Sequence, residues 1–253
     1  MTAALLGKNK DFYDSLWAGS RLIPPERFNT WPLIASLLPS SPSRLEVAPG
    51  LCPRLPLDGT RFIDASAPAV AKLVARGADA RVGLATDLPW DSGSFDLVGA
   101  FDILEHVDDD ERLLSELSRV ALPNATLLLS VPLHRSKWTA FDDLVGHRHR
   151  YEPDALLQKL ARYGWSVAKS GAYGMQPTSS ALLDLVVWSF EHRRRQAVWW
   201  YSHVILPLGV RFQQTLELAP NMIDVSAVDE VLLVCRRGRC GVSSASTGQT
   251  RAG

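Results

Sequence analysis

Along this chain, short apolar runs repeatedly end at a polar residue followed by a turn. Arg44-Leu45-Glu46-Val47-Ala48 leads into Pro49-Gly50, and Arg61-Phe62-Ile63 ends at Asp64. Arg81 to Ala85 precedes Asp87-Leu88-Pro89-Trp90, and Phe95 to Phe101 runs into Asp102. Thr126 to Val131 follows the Pro123-Asn124 turn, contains Leu127-Leu128-Leu129 and stops at Pro132. Unbroken apolar runs of this length predict strands covered on both faces. Between them the period changes to that of helices. Ala67 to Arg76 follows the capping residue Ser66. Asp108 to Asp110 open a segment with Leu113, Leu114, Leu117 and Val120 on one face, and Glu152 to Tyr163 closes at Gly164. Ser166 to Ala172 and Glu230 to Cys235 read as two further strands. Such alternation predicts an α/β domain with helices on both faces of a sheet.

Three segments fall outside that alternation. Residues 11 to 38 hold Phe12, Tyr13, Leu16 and Trp17 at helical spacing, a break at Pro24-Pro25, and a second helix from Trp31 to Leu38. After Pro132 comes the most polar loop, with His134, Arg135, Lys137, Asp142, Asp143, His147, Arg148, His149 and Arg150. Residues 178 to 218 form an insertion. It contains a block from Leu182 to Phe190, then Arg193-Arg194-Arg195, then Val198-Trp199-Trp200-Tyr201. Basic residues beside Trp and Tyr suit a helix lying in a membrane interface. A lid or a dimer face buried against protein fits the same composition, and both readings stand.

Composition narrows the classes. The chain has 253 residues, 46% of them hydrophobic and 21% charged, as expected for one large α/β domain with an insertion. Lys plus Arg and Asp plus Glu number 27 each, so no basic field draws nucleic acid. Cys52, Cys235 and Cys240 are odd in number and match no zinc spacing, which points to reduced thiols in a cytoplasm. Met1 to Leu6 is too short for a signal peptide, and no run of eighteen apolar residues predicts a spanning helix. The Ser-, Gly- and Thr-rich stretch 238–253 reads as a disordered tail.

The chemistry is in the strand ends. Glu46, Asp64, Asp87 and Asp102 sit at or just beyond them. In an open parallel sheet those ends share one edge, where ligands bind. Carboxylates there accept hydrogen bonds, so they suit a ligand with ribose hydroxyls and an amine. Asp64 also fits as a helix cap and Asp87 as a plain turn residue.

Asp87-Leu88-Pro89-Trp90, Ser94-Phe95-Asp96-Leu97-Val98 and Leu104-Glu105-His106-Val107 together resemble the signature of class I S-adenosylmethionine-dependent methyltransferases that act on small molecules. The resemblance covers about residues 44–174 and a last strand near 228–235. It implies a Rossmann-like, mostly parallel sheet of seven strands with the last antiparallel, and S-adenosylmethionine as cofactor. By this likeness Glu46, Ala48 and Gly50 form the loop under the cofactor. Ala48 and Cys52 stand where the family has its first and third glycines. Asp64 and Ala65 meet the ribose, and Asp87 and Leu88 the adenine. Phe101, Asp102 and His106 line the methionine end. Tyr13 and Trp17 cap the sulfonium, unless their helix only packs on the domain edge. The organisation that follows is a helical cap (1–40), the cofactor domain (41–175), a helical insertion (176–227), a final strand (228–237) and the tail.

Gly146-His147-x-x-Arg150-Tyr151 resembles an acceptor-facing loop of the same family. His147 is the candidate general base, with Asp143 or Asp142 to orient it. Alternatively those two acids pair with Arg148 and Arg150 to order the loop. A metal set of Asp142, Asp143, His147 and His149 matches no ligand pattern, so no metal is assigned. The expected function is methyl transfer to a small or lipid-like acceptor at a hydroxyl. The alternatives are N-, C- or sugar methylation, or a non-catalytic membrane-associated module. An NAD-dependent oxidoreductase fits less well, because the motifs at Asp87 and Leu104 have no role in it. Expected partners are the acceptor, a homodimer or a membrane touched through residues 182–210. The expected location is the cytoplasm or the inner face of its membrane.

Overall fold

The computed structural model describes residues 3–174 and 180–238, so the tail from 239 onward, with Cys240, lies outside the described residues. The strands are β1 (Arg44–Val47), β2 (Thr60–Asp64), β3 (Asp79–Val82), β4 (Phe95–Phe101), β5 (Ala121–Pro132), β6 (Trp165–Tyr173), β7 (Ala219–Pro220) and β8 (Glu230–Arg237). They form one sheet in the order β3-β2-β1-β4-β5-β8-β6-β7. Strands β1 to β5 pair in parallel, and β8 runs antiparallel to β5 and β6. This is the expected sheet plus one strand: β7 adds two residues at the edge, opposite Lys169 and Ser170.

Side-chain alternation gives the sheet its two faces. The row Val47, Ile63, Ala100, Leu129 and Leu233 packs under α4 (Asp110–Val120) and α6 (Pro153–Arg162). On the opposite row, Glu46 lies between Phe62 and Gly99. This face meets α2 (Trp31–Leu37) through Ile34, and α3 (Ala67–Val74) through Phe62 and Leu73. Gly99 leaves room for Glu46, whose Cγ would sit 3.3 Å from a Cβ added there.

No helix follows β1: residues 48–59 are turns and loop. Pro53 and Pro56 remove donors there, and Glu46 takes the backbone N–H groups of Arg54 and Leu55. Strand β3 lies two to three residues earlier than expected, because Gly83 bonds back to the Asp64 carbonyl and the chain then turns.

Above the carboxyl edge lies a roof. It consists of α1 (Ala3–Gly19), α5 (Ala140–Val145), α7 (Ser180–His192), α8 (Arg194–Trp200) and α9 (Leu206–Arg211), with a π-helical turn at Tyr201–Ile205 joining the last two. Leu16 packs with Phe190, Ala197 and Val198, which ties α1 to the insertion. No described helix is long and apolar enough to cross a membrane.

Candidate active site

Between sheet edge and roof lies a cleft of about 690 Å³. Its floor comes from the ends of β1, β2 and β4. Its walls include Leu16, Leu144, Val186, Phe190, Tyr201 and Leu206, so most of the surface is apolar. Tyr13, Trp17, Glu46, Ala48, Asp64, Ala65, Phe101, Asp102, His106 and His147 all line it. Gly50, Asp87, Leu88 and Asp143 are outside the lining.

At the β1–β2 end the carboxylates are tied to backbone. Glu46 accepts from Arg54 N at 2.9 Å and Leu55 N at 2.7 Å. Burial pushes its carboxyl up to about 7, against the pull of those two bonds. Asp64 accepts from Gly50 N and Ser66 N, each at 2.8 Å. Burial raises its pKa too, while the same bonds lower it. Ser66, not Asp64, caps α3, taking Ala69 N on its Oγ. A carboxylate has about four lone-pair sites, so Asp64 keeps acceptor capacity toward the cleft. Ala48 holds φ 51°, a left-handed backbone that favours glycine. Gly50 holds φ 55°, and Trp17 lies so close that an added Cβ would meet its ring at 2.3 Å. The cap therefore rests directly on the glycine loop.

The turn after β3 is placed differently from expectation. Leu88 is buried in the core and donates its N–H to Glu116 at 2.9 Å. Asp87 is exposed. Ala85 and Thr86 line the cleft in their place.

At the other end, side chains hold side chains. Asp142 Oδ1 lies 2.7 Å from His147 Nδ1. The same carboxylate accepts from Arg150 Nε at 2.8 Å, Arg150 Nη2 at 3.0 Å, and the backbone and hydroxyl of Thr139. Burial alone would raise Asp142, but these bonds outweigh it and hold the carboxyl below its ordinary value. Asp143 is one residue out of phase on α5. It is exposed and accepts from Trp138 Nε1 at 3.1 Å. Of the two acids, then, Asp142 orients His147 and also pairs with Arg150, so both expected roles fall to one residue. Arg148 pairs instead with Asp108 at 3.2 Å. The metal set with Asp143 and His149 does not assemble, since Asp142 is engaged by His147, Arg150 and Thr139 and Asp143 by Trp138.

His147 Nε2 faces Glu105 Oε1 at 3.9 Å, and its ring meets His106 edge-on with centroids 4.7 Å apart. His106 Nε2 lies 3.3 Å from the Tyr13 hydroxyl. Burial, and then neighbouring His147, push the His106 imidazole down to about 3, which keeps it neutral. Burial, and then Asp102, push Glu105 well above the carboxylate range. Asp102 holds φ 51° and accepts from the Ser130 hydroxyl.

Three lining residues escaped the sequence reading. Arg54 is buried in the loop after β1, lies 3.7 Å over the Phe28 ring and donates to Tyr173 at 3.0 Å. Glu230 opens β8 at the cleft, where burial and then Asp102 raise its pKa well above normal. Glu105 was visible only as part of a motif. A charged residue starting a strand whose next five residues are buried was a readable signal for Glu230. Nothing in the pattern around Arg54 marked it.

Residues 60–129 match the family model described as a methyltransferase domain. Norajmaline N-methyltransferase of Rauvolfia serpentina is 42% identical over 55 residues, 22% of this chain and 19% of the relative. Chloroplastic tocopherol O-methyltransferase of Arabidopsis thaliana is 35% identical over 68 residues, 27% of this chain and 20% of the relative. This chain thus aligns with about a fifth of the length of these curated relatives. An S-adenosylmethionine-dependent methyltransferase structure from Thermotoga maritima superposes with a TM-score of 0.55 at 14% identity, covering 84% of this chain and 91% of its own. The fold is therefore that of solved S-adenosylmethionine-dependent methyltransferases, and residues 60–129 carry the methyltransferase-domain match.

Proposed function

We propose that this protein transfers the methyl group of S-adenosylmethionine to a hydroxyl of a small apolar or lipid-like acceptor. The observation that carries the reading is His147, held by Asp142 and turned to the end of an apolar cleft whose other end presents Asp64. Asp64 receives the ribose hydroxyls, and Asp102 the α-amino group. The turn at Ala85 and Thr86 receives the adenine in place of Asp87. Tyr13 and Trp17 present aromatic faces to the sulfonium, an attraction of about 0.5–2 kcal/mol.

The acceptor oxygen attacks the methyl carbon in line, and the C–S bond breaks with its electron pair leaving on sulfur. Alignment alone accounts for roughly 7–11 kcal/mol of barrier lowering. His147 is the group through which the oxygen loses its proton. With Nε2 free it acts as general base, for a gain of about 10² to 10⁴ in rate. A second reading, methylation of an amine, draws support from the carboxylates of Asp102, Glu105 and Glu230, which suit an ammonium. The relatives include both N- and O-methyltransferases.

The test uses tritiated S-adenosylmethionine and an apolar cell extract. Label entering an ether-stable lipid fraction, and lost at least a hundredfold in His147→Ala, supports the hydroxyl reading. Label confined to amines, or undiminished in that variant, removes it.

The outer faces of α7–α9 support contact with an anionic bilayer. Trp188, Trp199, Trp200, Leu208 and Phe212 are exposed there, and Arg193 lies 5.9 Å over the Trp188 ring. Indole rings beside arginine suit the headgroup level. A homodimer through the same face is the competing outcome. Flotation with anionic vesicles that is lost in a Trp199→Ala, Trp200→Ala variant supports the bilayer. Equal flotation of both forms, or a dimer in solution that buries this face, removes it.

A further inference from the structure

Glu105, His106 and His147 meet at one point of the acceptor end. One carboxylate oxygen and one nitrogen from each ring lie within 4.8 Å of one another. Glu105 is 1% exposed, and its Oε2 has no hydrogen-bond partner among the described residues. A buried polar atom left unsatisfied costs about 1–3 kcal/mol, and more when charged. The neighbouring arginines make no hydrogen bond to it: Arg150 is bound to Asp142, and Arg148 is ion-paired with Asp108. His106 Nδ1 is also buried with no hydrogen bond of good geometry among the described residues.

The second layer around these groups is already built. Asp142 on His147 Nδ1 fixes the tautomer and leaves the Nε2 lone pair pointing away, which is how carboxylates support metal-bound histidines. Arg150 and Thr139 fix Asp142 in turn. The Tyr13 hydroxyl lies beside His106. Two imidazoles and one carboxylate suit zinc and its neighbours better than calcium or magnesium, which take oxygen ligands. Bonds of about 2.0–2.2 Å require small inward turns of the three side chains.

We propose that Glu105, His106 and His147 bind a divalent transition-metal ion of the zinc class, with its fourth position open to the oxygen of the acceptor. The proposal rests on the reading of this cleft as the acceptor site and changes one thing in it. The His147 Nε2 lone pair goes to the ion, and the ion acidifies the hydroxyl. The O–H bond breaks, its proton passes to water, and the oxygen lone pair forms the bond to the methyl carbon. The C–S electron pair leaves on sulfur, giving S-adenosylhomocysteine. No electrons enter or leave the system.

The test titrates cobalt(II) into tag-free, metal-stripped full-length protein and follows its visible ligand-field bands, with zinc(II) calorimetry beside it. One cobalt per chain is expected, with bands of a four-coordinate site. Glu105→Gln weakens binding at least a hundredfold, and Asp142→Asn, behind His147, ten- to a hundredfold. Calorimetry with S-adenosylhomocysteine shows that each variant is folded. Absence of stoichiometric cobalt in wild-type protein that still binds S-adenosylhomocysteine overturns the proposal, as does unchanged affinity in Glu105→Gln. If cobalt does not bind but His147→Ala still abolishes transfer, the metal falls and His147 stands as base. If His147→Ala keeps full turnover, the acceptor-end assignment falls with it.

Discussion

The two ends of the cleft satisfy their polar groups in different ways. At the β1–β2 end, Glu46 and Asp64 bond to backbone N–H groups of the loops they shape. At the other end, Asp142 bonds to Arg150, Thr139 and His147, while Glu105 Oε2 and His106 Nδ1 have no hydrogen bond of good geometry among the described residues. The first arrangement fixes a shape for a ligand to rest on. The second fixes one imidazole and leaves polar atoms turned toward whatever enters. Backbone-tied and side-chain-tied carboxylates are therefore separated along one cleft.

The largest way to break this contrast is Asp142→Ala. It leaves the Arg150 guanidinium, which is 2% exposed, without its carboxylate. Removing one partner of a buried pair costs about 3–5 kcal/mol, so urea unfolding should shift by that amount. A loss below about 1 kcal/mol would mean that the loop is held by other contacts. Next comes Glu116, which anchors the turn at Asp87-Leu88 through Leu88 N and Arg119. The bonds from Arg119 lead the causes that hold its carboxyl below the ordinary value. A depressed carboxyl binds fewer protons folded than unfolded, so its stability is present above the unfolded pKa and is lost as pH falls through the folded one. Glu116→Gln should flatten the acid-side fall in melting temperature. It should also cost about 1–3 kcal/mol at neutral pH. An unchanged acid limb would show that other groups set it.

The smallest effect belongs to the loop. Ala48 sits at φ 51°, where a non-glycine residue costs about 1–2 kcal/mol and glycine adds unfolded-state entropy of roughly half that. Ala48→Gly should then be neutral to about 1 kcal/mol stabilising in thermal unfolding. A clear loss would mean that the methyl group packs usefully and that the worn glycine loop is not strained.

The mostly parallel sheet, and Asp64 and Asp102 at its carboxyl edge, were legible because they rest on local patterns. Continuous apolar runs ended at Asp64 and Asp102, and Ser66 and Asp109 capped their helices as their residue types suggest. What was not legible depended on contacts distant in sequence. The phase of α5, set by the Thr139 capping box, decides that Asp142 and not Asp143 reaches His147. Asp87 lost its expected place because Glu116, on α4, draws Leu88 inward. Gly50 was expected in the loop under the cofactor, yet Trp17 from the first helix lies on it. Arg54 and Glu230 meet Asp102 only through the fold.

The most direct test of the central claim is calorimetry of the full chain with S-adenosylmethionine, wild type beside Asp64→Asn. One saturable site with a micromolar Kd is predicted, weakened about ten- to a hundredfold in the variant as a charged hydrogen bond is lost. No heat at millimolar ligand, or equal affinity in both proteins, would contradict the account.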